Sequence, residues 1–201
     1  MKNQVDKSNL NLKKSLIIAK SIGRTVYSHP NHPDQCLKIV HHKTINENKI
    51  DLKYYRHLQN RGASFKHIAR LQGEQNTNKG NAVVFDLIKD YDGKISKTLQ
   101  YYLLTPPRKF DQLIAEHLLI LKQYLLTERI VFRDLNPGNI VLCRINATDI
   151  RLIIVDGLGT RSLIPIELYV RFFAVRMIKR RWHRLIENKY KELKPIFETL
   201  I

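Results

Sequence analysis

The chain has 201 residues, 43% apolar, 26% charged and 8% aromatic. That is enough hydrophobic material for one packed domain or two small lobes, and it excludes a disordered tail. A balance of 35 Lys and Arg against 18 Asp and Glu leaves a formal charge of +17, which attracts nucleotide phosphates, nucleic acid or an anionic membrane without choosing among them.

In chain order, residues 1–15 are polar and are expected to be loose. The patch Leu16–Ala19 is short and followed by Lys20, so it lacks the apolar core of a signal peptide. Leu16-Ile17-Ile18 and Thr25-Val26-Tyr27 read as short strands around a turn at Ser21, Gly23 and Arg24, where Gly23 marks a tight backbone. After the punctuated stretch His29–Asp34, the run Gln35–Val40 is the next strand of an antiparallel meander. The period then changes. Over Ile45–Asn60, Ile50, Tyr54, Tyr55 and Leu58 share one side of a helix that Arg61-Gly62 stops. Gly73–Gly80 is rich in Gln, Asn and Gly and reads as a loop, Asn81–Ile88 as a buried strand, and Asp90–Gly93 as a turn.

Pro106-Pro107 opens the second half, followed by a wide apolar stripe from Phe110 to Leu125 that predicts a central helix. Its most hydrophobic part, Leu113–Leu126, contains Glu116, His117, Lys122 and Gln123, well short of the roughly 20 apolar residues that cross a bilayer. Ile140–Cys143 and Arg151–Val155 flank the turn-like Asn146–Asp149 and predict a hairpin, and the remainder is helical and basic. The expected organisation is a loose segment 1–15, a sheet lobe 16–90 and a helical lobe 91–201. Cys36 and Cys143 lie far apart without paired spacing, which fits neither a disulfide framework nor a cysteine zinc site and suits a reducing, cytoplasmic setting. The histidines show no paired metal-ligand spacing, and Walker and Gly-x-Ser-x-Gly motifs are absent.

The stretch Ile130-Val131-Phe132-Arg133-Asp134-Leu135-Asn136-Pro137-Gly138-Asn139-Ile140 places a carboxylate and an amide in one turn between a helix and a strand. Asp156-Gly157 then ends the second hairpin strand. For any single residue an ordinary turn would explain the composition, but the ordered set resembles the catalytic loop and metal-binding turn of the protein-kinase-like fold. The resemblance implies an α+β, two-lobe fold with a minimal C-terminal lobe, binding ATP and Mg2+. Asp134 would be the base or orienting group, with Arg133 beside it in the catalytic loop, and Asn139 and Asp156 would hold the metal. Lys38 would meet the nucleotide phosphates, although a lysine there could also be an edge-strand gatekeeper. Cys36 and Val26 would lie at the adenine, Gly23 in the turn over the phosphates, Leu87 at the hinge and Val141 among the remaining nucleotide contacts. Asp51 has the better register for pairing with Lys38, with Glu47 as competitor one turn earlier; either acid could instead belong to a solvated face.

Three positions depart from the kinase pattern. Phe132 stands for the usual His, Asn136 for the Lys of many protein kinases, and Leu158 for the Phe of Asp-Phe-Gly. Little chain follows Asp156 and it contains no Ala-Pro-Glu, which disfavours an ordinary protein-substrate kinase. At family level, Tyr27-Ser28-His29-Pro30, Cys36-Leu37-Lys38, Tyr54-Tyr55-Arg56, Asp90–Ser96 and Val155–Gly159 resemble the bacterial YrbL family of PhoP regulatory network proteins, from about Leu16 to Arg184. That implies a bacterial cytoplasmic protein in a magnesium- and envelope-responsive context.

The segment Arg171–Ile186 interleaves cations with large apolar groups, and Phe172, Val175, Ile178, Trp182 and Leu185 fall on one helical stripe. This reads first as a core-docking helix with a solvated basic face. An anionic membrane surface is the second reading, and nucleic acid the last, since no zinc-finger or RNA-recognition signature accompanies the charge. The leading functional expectation is phosphate transfer from ATP to a small-molecule or envelope-related acceptor. A nucleotide-binding pseudokinase acting as a regulatory module is the alternative, and a basic membrane- or nucleic-acid-binding protein rests on charge alone.

Overall fold

A computed structural model describes residues 5–41, 47–107, 110–162 and 164–189. The chain forms two compact units, residues up to 62 together with 69–88, and residues 63–68 together with 89 onward.

The first unit contains strands β1 (Val5–Leu10), β2 (Ile17–Lys20), β3 (Arg24–Ser28) and β4 (Gln35–Val40), helix α1 (Glu47–Asn60), and strands β5 (Leu71–Thr77) and β6 (Gly80–Asp86). They form one six-stranded sheet in the order β1-β5-β6-β4-β3-β2. β4 is near its centre and is buried on both faces at Cys36, Leu37, Lys38 and Ile39. Leu37 and Ile39 join Leu12, Tyr27, Ala82 and Val84 in one apolar cluster. The two-residue alternation of a strand sends Cys36 and Lys38 to the opposite face, where α1 packs and the Tyr55 ring meets Phe85 edge-on at 5.0 Å. The helix buries Leu52, Tyr54, Tyr55 and Leu58, close to the stripe that periodicity predicts.

Two expectations change here. The opening segment is not loose from Val5 onward: β1 pairs parallel with β5. Asn78 secures the chain that follows, donating from its amide to the Leu10 carbonyl at 2.9 Å and accepting from Leu12 N at 2.9 Å. Residues 1–4 lie outside the described residues. Likewise most of the expected loop Gly73–Gly80 is strand, paired residue by residue with β6. Its inward positions are Gly73, Gln75 and Thr77 as well as Leu71, so the period-2 burial is carried by residues that hydropathy does not flag. Thr77 Oγ1 donates to the Gly80 carbonyl at 2.6 Å, and such partners remove the cost of burying a hydroxyl.

The second unit contains α2 (Leu99–Leu104), α3 (Asp111–Thr127), the hairpin β7 (Ile140–Arg144) and β8 (Ile150–Ile154), the single turn α4 (Ile166–Tyr169) and α5 (Arg171–Lys189). α3 is the expected central helix, with Ile114, Ala115, Leu118, Leu121 and Leu125 fully buried. Residues 63–68 belong to this unit, although the expected sheet lobe included them. Ile68 bridges Ile154, the His67 ring bonds the Leu152 carbonyl at 2.9 Å, and Ser64 N donates to Glu128 at 3.1 Å. α5 packs on α3 and α4 through Ala174, Ile178, Trp182 and Leu185. The core-docking reading of this helix therefore holds from Ala174 onward. Phe172, expected in the stripe, points to solvent, and Val175 is half-buried. Among the described residues no helix is long and apolar enough to cross a membrane.

Candidate functional site

The residues expected in a catalytic loop and metal-binding turn come together within the second unit through backbone hydrogen bonds. Phe132 and Leu158 form an antiparallel bridge. Arg133 N and Asp134 N both donate to the Gly157 carbonyl, at 2.8 and 3.1 Å, and Gly159 N donates to the Val131 carbonyl at 2.9 Å. The segments around Asp134 and Asp156 are thus cross-linked as two short antiparallel strands. Gly157 has φ +81°, and a Cβ there would overlap the Asp134 carbonyl oxygen. Glycine is required at this crossing both for its left-handed backbone and for the close approach.

Asn136 organises the loop further. Its side-chain oxygen accepts from Gly138 N at 2.8 Å and Asn139 N at 3.2 Å, capping the 3-10 turn Pro137–Asn139, and its Nδ2 donates to Asp134 Oδ2 at 2.9 Å. Asn139 Nδ2 donates to the Asp134 carbonyl at 3.0 Å, while its backbone carbonyl accepts from Val155 N. Asp156 Oδ1 accepts from Gly157 N at 2.7 Å. Asp134 is solvent-exposed and Asn139 and Asp156 are half-buried, so an exposed carboxylate stands beside an amide and a second carboxylate of fixed orientation. Arg133 is half-buried in the same loop. The preceding Phe132 ring is buried and lies 6.0 Å from the Arg181 guanidinium of α5. Burial and the neighbouring Arg180 hold Arg181 below the usual arginine range.

Val141, expected at the nucleotide, is buried on β7, where it bridges Thr98. The strand end is closed by the turn at Asp90–Gly93. Asp90 accepts from Ser96 Oγ, from Arg144 N at 3.0 Å and from Arg144 Nε at 2.7 Å, and Arg144 Nη2 reaches Asp92 at 2.7 Å. These carboxylates raise the Arg144 pKa above its already high ordinary value. Burial pushes the Cys143 thiol upward, which makes it a poor nucleophile.

In the first unit, Val26, Cys36 and Lys38 are brought onto one sheet face: Lys38 is opposite Val26 on β3 and Val83 on β6. Lys38 is 4% exposed, with Nζ 4.3 Å from the centre of the Phe85 ring and its carbonyl accepting from Asn48 Nδ2 at 3.0 Å. A lysine buried on an interior strand, flanked by β3 and β6, is not an edge gatekeeper. Leu87 N donates to the Asp34 carbonyl at 2.9 Å at the end of this unit. Gly23 corrects one expectation: its φ is not positive and a Cβ would meet nothing within 4 Å, so the turn does not demand glycine. Arg24 beside it is the residue that sequence reasoning underused. It is buried, and its Nη1 donates to Asp51 at 2.9 Å while Nη2 lies 3.9 Å from Glu47. Both candidate acids of α1 therefore face Arg24. No local pattern links a strand-start cation to a helix far along the chain.

The profile of PhoP regulatory network protein YrbL matches residues 10–190. The chain belongs to the YrbL family. YrbL of Escherichia coli (strain K12) is 34% identical over 169 residues, covering 81% of this chain and 80% of that protein. YrbL of Shigella flexneri gives the same values, 34% over 169 residues. Among solved structures, this YrbL-family chain is similar to the Mycobacterium tuberculosis PknI kinase domain in two substituted forms. The TM-score is 0.47 for each, at 19% and 17% identity over 74% and 70% of this chain. The chain spans 60% and 58% of the length of those two kinase domains.

Proposed function

We propose that this protein is a kinase-like phosphotransferase that uses ATP and Mg2+ to phosphorylate a small-molecule or envelope-related acceptor in the bacterial cytoplasm. The observation that carries the reading is the cross-linked pair of turns, in which Gly157 binds the backbone of Arg133 and Asp134 and Asn139 is tied to both. The donor set suits magnesium. Among the described residues no three His, Cys, Asp or Glu side chains cluster as a ready-made metal cage. An amide oxygen from Asn139 and a carboxylate from Asp156 match the way Mg2+ is held by few protein oxygens together with substrate phosphates.

When bound, ATP and Mg2+ supply the transferable phosphoryl group and neutralise its charge. Asp134, exposed and oriented by Asn136, would position the acceptor hydroxyl and take its proton. Lys38, buried and cationic, would hold phosphate oxygens, with Val26 and Cys36 as the apolar surface against the base and Leu87 and Val141 as further contacts. Arg133 would help set the catalytic loop. A second reading, a nucleotide-dependent regulatory module without turnover, is favoured by Asn136: it stands where many protein kinases have a cation and engages one oxygen of Asp134.

Calorimetry of ATP binding with and without Mg2+, followed by ADP release, tests the proposal on the parent, Asp134→Ala and Asp156→Asn. The expectation is Mg2+-dependent binding that Asp156→Asn removes and turnover that Asp134→Ala removes. Binding without turnover in the parent would select the regulatory module, and absence of nucleotide binding would overturn both readings.

A further inference from the structure

The segment from Ile164 to Phe173 is unusual for a protein surface. Ile164 is 76% exposed, Tyr169 70% and Phe172 64%, and Ile166, Val170 and Phe173 are also exposed. All six lie within one short stretch that enters α5. Exposed apolar side chains scattered singly need no explanation, but a run of this kind marks an interaction surface.

The helix that follows supplies the second half of the observation. The side of α5 opposite Ala174, Ile178, Trp182 and Leu185 presents Arg176, Lys179, Arg180 and Arg184 to solvent, with Arg171 at its start. No Asp or Glu occurs from Arg171 to Ile186. That stretch of the helix therefore supplies no counter-charge of its own, and it adjoins the apolar run directly. Aliphatic residues are part of that run, and Ile164, Ile166 and Val170 have no use in stacking on nucleic-acid bases, whereas they gain from leaving water at a lipid interface.

We propose that the surface made by residues 164–173 and the outward face of α5 docks on an anionic lipid bilayer. The apolar side chains enter the headgroup–acyl boundary while the α5 cations meet lipid phosphates. Neither half suffices: apolar groups set the depth and cations set the preference for negative lipid. The inference is independent of the phosphotransfer reading, since it uses none of the residues placed at the nucleotide.

The test is co-sedimentation of the full chain with vesicles of phosphatidylcholine alone and of phosphatidylcholine with phosphatidylglycerol. Binding is expected only to the anionic vesicles. Arg176→Gln/Lys179→Gln/Arg180→Gln should weaken it by about 100-fold, at roughly fivefold for each cation near the surface, and more than Lys13→Gln/Lys14→Gln. Phe172→Ser/Phe173→Ser leaves the charge unchanged and should still weaken binding at least about 10-fold, because insertion is lost. Phe172→Trp gives a direct readout. Against the constant background of buried Trp182, its emission should shift to the blue and be quenched by lipids brominated on their acyl chains.

Equal binding to neutral vesicles, or undiminished binding by the Phe double variant with no quenching at position 172, would overturn the proposal. A concentration-dependent dimer abolished by the same double variant, without vesicle binding, would assign the surface to a second copy of this chain. Preferential binding of single-stranded oligonucleotide over anionic vesicles would assign it to nucleic acid and also overturn the proposal.

Discussion

Replacing Gly157 by alanine probes the crossing on which the candidate site depends. The residue has φ +81°, and its new methyl group would overlap the Asp134 carbonyl oxygen and approach both the Asp134 carbonyl carbon and Asn139 Nδ2 at 2.9 Å. A left-handed backbone costs an alanine about 1–2 kcal/mol. Relieving the overlap must separate the two segments, and the obstacle is backbone that cannot rotate away. The amides of Arg133 and Asp134 would then lose the Gly157 carbonyl, at about 1 kcal/mol each. The total is about 3–4 kcal/mol, which for a chain of this size lowers the melting temperature by roughly 10 °C. Gly93→Ala is the matched control, because Gly93 has φ +80° but nothing within 4 Å of a Cβ; it should cost only the backbone penalty, about 3–6 °C by the same scale. Differential scanning calorimetry compares the two variants, and amide hydrogen exchange at Arg133 and Asp134 locates the damage. Equal melting temperatures, with unchanged exchange at these amides, would refute the rigid crossing.

Arg24→Met should destabilise the first unit by about 1.5–3 kcal/mol, because the buried Asp51 carboxylate loses the charge-assisted hydrogen bond from Arg24. In a double-mutant cycle read by thermal unfolding, Arg24→Met should cost less in an Asp51→Leu background than in the parent. Asn136→Ala should cost about 1 kcal/mol through the lost cap of Pro137–Asn139, and under the proposed phosphotransfer it should lower turnover more than nucleotide affinity, since the same side chain bonds Asp134; steady-state kinetics beside calorimetry separates the two effects. Burial holds the His67 pKa below 6.5 despite its bond to Leu152, and burial also lowers His117. Below pH 6.5 the unfolded chain takes up protons that these folded imidazoles resist. Their contribution is therefore fully present above pH 6.5 and is lost as pH falls through their depressed folded values. The melting temperature should drop on acidification from pH 7 to 5, and the drop should flatten in His67→Gln/His117→Gln.

Periodicity and turn chemistry were enough to identify α1, α3, β4, β6 and the β7–β8 hairpin, because each carries an apolar pattern that its burial reproduces. The order Asp134, Asn139, Asp156-Gly157 was equally legible, since the loop chemistry is local and its spacing survives in the chain. β5 was not, because Gly73, Gln75 and Thr77 are buried through the ladder to β6 and through hydrogen bonds that hydropathy does not register. β1 depends on the same long-range partner. The Arg24–Asp51 pair, the Gly157–Asp134 crossing and the exposed turn of α5 at Phe172 likewise join or separate residues that the sequence places without reference to one another. A linear pattern specifies which face of an element is apolar and which residues can cap or turn it. Which buried charge finds which partner, and which apolar residue is left in water, follow from how the elements pack, and only the tertiary structure decides that.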